Sequence, residues 1–203
     1  MRVAKGQFKE ISRATYMHSK EGFSFFTFPC VAKRGGFYFR YICNQNAMPQ
    51  YPIHGSKYFD VREFVDQKTW SMLAEKSACL IDPAIVRVCD LLREKVGAPV
   101  IVNNWHFAKP GQNVYKASGF RAVWEVVGGK LSQHRCGRAA DVKVLGMTPP
   151  QLLSIIMAHE AEFEAVGLTT IESVEYTLSW LHLDTRPKVS GWHPAKGFLI
   201  VKP

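Results

Sequence analysis

Apolar residues recur at helical spacing in several stretches of the chain. One stretch follows Asp82 and Pro83 and is closed by a glycine, and its apolar positions are Ile85, Val88, Leu92 and Val96. A capping residue, a proline at the first helical position and a final glycine predict a helix between them. A second helix is predicted after Thr148, with apolar positions Leu152, Ile155, Ile156 and Phe163. Asp60 with Glu63 three positions later predicts a further helix start.

Alternation of apolar and polar residues predicts strands elsewhere. Residues 99–103 form a short apolar run, and residues 168–202 are strand-like over most of their length. Between residues 139 and 144, valine and alanine alternate with Asp141 and Lys143. The order helix, helix, strand, loop, strand, helix, strands predicts an α+β fold, in which helices pack on an antiparallel sheet.

The first quarter of the chain has a different pattern. Two aromatic, β-favouring runs at residues 23–28 and 37–42 flank a pair of glycines, which predicts a hairpin. Residues 48–55 contain two prolines and a glycine, and we interpret them as a linker. We therefore expect a small β-rich extension over residues 1–55 and a main domain over residues 56–203.

Charge is distributed unevenly along the chain, whose formal net charge is +9. Residues 1–58 contain nine Lys or Arg against two Asp or Glu, and residues 59–203 contain seventeen against fifteen. A basic extension suits a polyanionic partner, and it equally suits a solvated surface that keeps the chain in solution. No nucleic-acid-binding motif accompanies the charge, so we do not expect a nucleic-acid partner.

Composition also bears on the compartment. No apolar run reaches the ~20 residues of a membrane span. The basic N-terminal residues are not followed by the apolar core of a secretory signal, which predicts synthesis in the cytoplasm. Five cysteines without a Cys-x-x-Cys spacing are interpreted as reduced thiols. Nothing in the sequence requires more than a monomer.

Candidate chemistry falls on two of the predicted strands. In residues 180–184, alternation sends two leucines into the core and places His182 and Asp184 together on the opposite face. The side chain of Asp141 lies on the polar face of another predicted strand, and His134 lies just before that strand. Two imidazoles and one carboxylate suit zinc with an open fourth position. From residues 180–184 alone, an exposed strand face without a function is the simpler interpretation.

The fixed residues resemble a known metal motif. From Ser132 to Asp141 the sequence reads Ser-x-His-x-x-Gly-x-Ala-x-Asp. This is similar to the motif of the zinc D-alanyl-D-alanine carboxypeptidase and L-alanyl-D-glutamate endopeptidase family. Residues 118–121 resemble that family's Ser-Gly-aromatic-Arg motif, and residues 180–184 resemble its closing hydrophobic-His-x-Asp strand. The three motifs occur in the family's order and cover roughly residues 56–190.

The resemblance implies a cofactor and roles for individual residues. His134, Asp141 and His182 would bind zinc in a cleft on the sheet. Arg121 would hold a substrate carboxylate or carbonyl, and Ser132 would support the metal-binding loop beside the substrate. The implied activity is hydrolysis of peptidoglycan stem peptides, by carboxypeptidase or endopeptidase cleavage. The missing secretory signal and the basic extension fit a bacteriophage lysis enzyme or virion component, whose extension would contact an anionic wall polymer or virion proteins.

One position departs from the family pattern. Many members carry Glu or Asp three residues before the last histidine as the general base, whereas this chain has Ser179. Asp184 and Glu175 are the candidate catalytic carboxylates in its place, and Glu172 is a further candidate. The alternative hypothesis is a structural or wall-binding protein that keeps the fold and the metal but cuts weakly or not at all.

Overall fold

A computed structural model describes residues 49–202, and the predicted hairpin of the extension lies outside them. The described residues form an α+β fold with a five-stranded sheet and helices, as predicted. Residues 49–55, interpreted above as part of a linker, belong to this fold. Ile53 is fully buried in its core, and Pro52 forms an isolated β-bridge with Asp60. The boundary between the two predicted units stays a prediction.

The helices and strands follow one another in an irregular order. The described α-helices are α1 (Gln67–Leu73), α2 (Pro83–Val96), α3 (Pro149–Ala158) and α4 (Glu160–Ala165). The described strands are β1 (Val100–Ile101), β2 (Ala139–Val144), β3 (Thr170–Glu172), β4 (Leu181–Asp184) and β5 (Leu199–Val201). Short 3₁₀ turns occur at Ile53–Gly55, Val61–Glu63, Ala74–Leu80 and Gln133–Cys136.

The sheet is mixed, with the strand order β1-β2-β4-β3-β5. The pairs β1–β2, β2–β4 and β4–β3 are antiparallel, whereas β3 and β5 are parallel. The prediction of an antiparallel sheet is therefore wrong at this one edge. β4 ends beside the start of β3, where Asp184 pairs with Thr170, and β5 begins at the same level, where Leu199 pairs with Thr170. Residues 185–198 therefore pass that end of β3 and place β5 on its far side, whereas a tight hairpin would place it next to β4.

The two strongest helix predictions are confirmed at their N-termini. The Asp82 carboxylate accepts the Ala84 backbone N–H at 2.9 Å, Pro83 occupies the first position of α2, and Gly97 closes it in the left-handed region. Thr148 caps α3 as predicted, but the single helix expected beyond it is divided at His159, whose φ of −123° is not helical. No helix within residues 49–202 has both the length and the apolar character needed to cross a bilayer.

The helix predicted at Asp60 is a single 3₁₀ turn. Asp60 and Glu63 form the expected capping box. The turn does not continue, because Asp66 has extended backbone and caps α1 by accepting the N–H groups of Lys68 and Thr69. Burial raises the pKa of the Glu63 carboxyl to about 8, although it accepts the Asp60 backbone N–H at 3.2 Å.

The core lies on one face of the sheet, against α2 and α3. Its strand residues are Val142, Val144, Leu181 and Leu183, and its helix residues include Ile85, Leu92, Leu152 and Ile156. Cys89 is buried in this core, and all three described cysteines are free thiols, in agreement with their interpretation. The opposite face of β2, β4 and β3 presents polar side chains and supports the candidate site.

Candidate metal centre

Asp141 and His182 come together through strand register. They lie directly opposite each other in the antiparallel pair β2–β4. Their neighbours alternate to the other face, where Leu181 and Leu183 are fully buried. Directly paired residues of adjacent strands share one face of a sheet, so the carboxylate and the imidazole are neighbours. The predicted alternation over residues 180–184 is confirmed.

His134 reaches the same point from the 3₁₀ turn that precedes β2. Its backbone oxygen accepts the N–H groups of Arg121 and Gly137, at 3.1 and 3.2 Å. Gly137 has a φ of 68°, and a Cβ at this position would overlap the Leu80 carbonyl oxygen. Only glycine permits both the left-handed backbone and the close approach, which explains the glycine of the metal motif in physical terms.

The three side chains converge on one small volume. His182 Nδ1 lies 2.8 Å from Asp141 Oδ1, and His134 Nε2 lies 3.2 Å from the same oxygen. The two ring nitrogens are themselves 3.2 Å apart. All three residues are at least nine-tenths buried, and their ligand atoms lie within 4.8 Å of one another.

The outer nitrogen of each imidazole faces an acceptor. His134 Nδ1 lies 2.7 Å from the backbone oxygen of Gly119 and donates its proton there. His182 Nε2 lies 3.5 Å from a carboxylate oxygen of Asp184. With the outer nitrogens protonated, the inner nitrogens and Asp141 Oδ1 present three lone pairs to one point. With its lone pairs directed in this way, the cluster could hold a metal ion.

The pKa shifts of the three side chains follow from their burial and from the hydrogen bonds among them. Burial alone would raise the pKa of Asp141, but hydrogen bonds with His134 and His182 hold that pKa far below its usual range. Burial disfavours the charged form of His182, yet its bonds to Asp141 and Asp184 raise its pKa to about 9. Burial lowers the pKa of His134. The raised pKa favours the charged form of His182, whose Nδ1 faces Asp141 Oδ1 at 2.8 Å.

Arg121, predicted to bind substrate, is held against the metal cluster. Its Nη2 donates to Asp141 Oδ2 at 2.6 Å, and its Nε donates to the Ala117 backbone oxygen at 2.7 Å. The guanidinium lines the cleft above the cluster. It therefore holds the Asp141 carboxylate through one side of its fork. Contact with a substrate stays a prediction.

Asp184, predicted to be catalytic, is fully buried behind His182. Both of its oxygens accept hydrogen bonds from the Arg186 guanidinium. Burial opposes its ionisation, but the bonds from His182 and Arg186 lower its pKa. Its contacts fit a residue that orients the His182 ring. The contact of Arg186 with Asp184 was not predicted. The spacing of two residues was a usable signal, because side chains two residues apart in an extended chain lie on the same face.

The cluster lies at the floor of a cleft of about 360 Å³. Ser132 lines this cleft and its hydroxyl does not cap the 3₁₀ turn that it precedes, so its supporting role stays a prediction. Glu172 and Trp180 line the cleft as well. Glu175 is exposed in the turn after β3 and is not among the lining residues. Its catalytic role stays a prediction without a supporting contact.

Arg135, which was not predicted from the sequence, holds the rim of the cleft. The guanidinium of Arg135 donates to the backbone oxygens of Ala122, Glu125 and Gly129, at 3.1, 2.9 and 3.3 Å. These bonds tie the loop of residues 122–131 to the turn that carries His134. We call this loop the rim loop. Its exposed apolar side chains include Val123, Val126, Val127 and Leu131, and the last two line the cleft.

No family model matches the chain, and no curated protein or solved structure matches it. The cluster of His134, Asp141 and His182, which could hold a metal ion, is thus identified by its own geometry.

Proposed function

We propose that this chain is a zinc-dependent hydrolase that cleaves peptide bonds in peptidoglycan stem peptides. The observation that carries the proposal is the convergence of three ligand atoms at the floor of an open cleft. Two histidines and one carboxylate are a ligand set of catalytic zinc sites, which keep a further position open. The motif resemblance of residues 132–141 and 180–184 supports peptidoglycan as the substrate class.

The ligand chemistry supports zinc among the available metals. Imidazole nitrogens suit zinc and its transition-metal neighbours, whereas magnesium and calcium prefer all-oxygen sites. Each outer ring nitrogen faces an oxygen acceptor, the supporting contact that zinc-binding histidines make. When bound, zinc would polarise a substrate carbonyl and lower the pKa of a water molecule towards neutrality.

The residues of the cleft can hold an extended, acidic peptide. Trp180 and the apolar side chains of the rim loop offer walls on which a peptide packs. Arg121 and Arg186 place two guanidinium groups in the lining, each already bound to one carboxylate through part of its fork. Their remaining donors suit substrate carbonyls or carboxylates, which peptidoglycan stem peptides carry.

The test combines metal content with product analysis on the full chain. Purified peptidoglycan is incubated with wild type and His134→Ala, and new amino and carboxyl termini are quantified beside bound zinc. His159→Ala is the matched control, because His159 pairs with Glu162 at the surface, outside the cluster. We expect one zinc and cleavage in wild type and in the control, and neither in His134→Ala. Absence of zinc from wild type would refute the proposal.

A second candidate function is a wall-binding or structural protein that holds metal without cutting. The observation in its favour is Ser179, which is exposed where the family's base is expected and cannot accept a proton as a carboxylate does. Stoichiometric zinc without cleavage across several wall chemotypes would favour this function. Cleavage that disappears in His134→Ala would exclude it.

A further inference from the structure

We infer that Glu172 is the carboxylate that takes the proton from the attacking water in this cleft. The inference rests on the peptidase activity proposed above. In the motif that the chain resembles, the general base stands three residues before the last histidine, where this chain has Ser179. The inference assigns the role of general base to a residue of β3 instead.

Strand register places Glu172 beside the metal cluster. In the antiparallel pair β3–β4, Thr170 is opposite Asp184 and Ile171 is opposite Leu183. One further step in the same register brings Glu172 opposite His182, which is itself opposite Asp141 on β2. The three residues therefore form a row across three adjacent strands, on one face of the sheet. Directly opposed residues have Cβ atoms about 5 Å apart.

The other acidic groups near the cluster are engaged or face elsewhere. Asp141 is a member of the cluster, and Asp184 is fully buried with both oxygens bound by Arg186. Glu175 is exposed and does not line the cleft. Within residues 49–202, Glu172 and Asp141 are the carboxylates in the cleft lining, and the Glu172 side chain makes no hydrogen bond to another described residue.

The surroundings of Glu172 suit a proton acceptor. Its charge acts on His182 and on Arg186, so the carboxylate is within electrostatic reach of both. Glu172 is half-buried at the cleft wall, which leaves its oxygens accessible to a water molecule on the floor. A general base must reach the water directly or through one intervening water, and Glu172 lines the same cleft as the cluster that would hold that water.

The proton balance of the reaction is complete with this one residue. As the water oxygen bonds to the substrate carbonyl carbon, one water proton passes to a Glu172 oxygen. The carboxyl then gives that proton to the amide nitrogen as the carbon–nitrogen bond breaks. The products are a carboxyl terminus and an amino terminus, and the Glu172 carboxylate is regenerated.

The first experiment compares zinc-loaded wild type, Glu172→Gln and Glu172→Asp on purified peptidoglycan. Glu75→Gln is the matched control, since Glu75 is exposed and remote from the cleft. We expect Glu172→Gln to keep zinc affinity and KM within about threefold and to lose kcat by about 10²- to 10⁴-fold. Glu172→Asp should recover part of kcat. Turnover by Glu172→Gln within threefold of wild type, or its loss in Glu175→Gln instead, would overturn the inference.

A second readout does not depend on turnover. In the cobalt-substituted protein, azide binding to the metal is followed by visible absorption. A carboxylate facing the open metal position repels this anion, so Glu172→Gln should bind azide about tenfold more tightly than wild type. Equal azide affinity in the two proteins would overturn the placement of Glu172. If wild type binds metal but cleaves no peptidoglycan, the proposed function fails, and the azide result still decides whether Glu172 faces the metal.

Discussion

Zinc binding should release a proton, because the metal-free cluster already holds one. His182 Nδ1 lies 2.8 Å from Asp141 Oδ1 and its pKa is raised to about 9. Zinc needs the lone pair of that same nitrogen, so metal and proton compete. At every pH below about 9 the proton must leave first, and the apparent zinc affinity must fall as the pH falls.

The magnitude follows from the pKa of His182. At pH 7 about one chain in a hundred has this imidazole neutral, which lowers the apparent zinc affinity about 100-fold, or by about 3 kcal/mol. Between pH 8.5 and 6.5 the affinity should change about 80-fold. An imidazole with the ordinary pKa of 6.5 would change the affinity only about twofold over that range.

The assay is competition with a chromophoric chelator whose own proton equilibria are known, from pH 6.5 to 8.5. Calorimetry in buffers of different ionisation enthalpy counts the protons released, and we expect close to one per zinc at pH 7. A flat affinity profile with no proton release would refute the assignment of a charged His182 in the metal-free cluster.

The raised pKa of His182 also makes the stability of the fold depend on pH. Because His182 titrates higher in the folded chain than at its ordinary 6.5, its protonation stabilises the metal-free fold below pH 6.5. That stabilisation, about 3 kcal/mol at most, is lost as the pH rises from 6.5 through about 9. Urea unfolding in the presence of a chelator measures this loss, and zinc-loaded protein should not show it.

Three further predictions concern neighbouring groups. Asp141→Asn leaves Arg121 without its buried carboxylate partner, so urea unfolding of the chelated protein should show a loss of about 3 kcal/mol. Glu63 has a folded pKa of about 8 against an ordinary 4.5, so wild-type stability should fall as the pH rises through that window. Glu63→Gln should remove most of this fall, which is about 5 kcal/mol at most. Arg135→Ala should release the rim loop and raise KM several-fold at unchanged zinc content.

Each of these three predictions would be contradicted by a specific result. An Asp141→Asn chain as stable as wild type would mean that Arg121 finds another partner or solvent. Parallel pH profiles for wild type and Glu63→Gln would mean that Glu63 is not the titrating group. Loss of zinc from Arg135→Ala would show that Arg135 holds the turn of His134 and not only the rim loop.

The sequence alone was sufficient for the features that depend on local pattern. Alternation in residues 180–184 correctly separated core leucines from His182, and the caps at Asp82 and Thr148 correctly located two helix starts. The α+β class followed from the order of these elements. Local signals predicted the length of a helix less reliably than its start, because Asp60 and Glu63 cap a single turn as readily as a long helix.

The features that were missed depend on contacts between distant parts of the chain. The parallel edge strand β5 is determined by the path of residues 185–198 over the fold, which carries no periodic signal. Arg135 bonds to three backbone oxygens, and a backbone acceptor has no identity in the sequence. The strand face of Asp184 was predicted correctly, whereas its burial against Arg186 was not, because that burial depends on side-chain packing.

The hydrophobic core determines where the chemistry lies. The register of β2, β4 and β3 is held by core residues such as Val142, Leu181, Leu183 and Ile171, none of which contacts the cleft. A slip of one residue would turn these apolar side chains to solvent and the polar row into the core, at a cost of several kcal/mol. The same pairing that buries the leucines therefore aligns Asp141, His182 and Glu172. The base that we propose on β3 needs no sequence motif of its own, since the register places Glu172 beside His182 and Asp141.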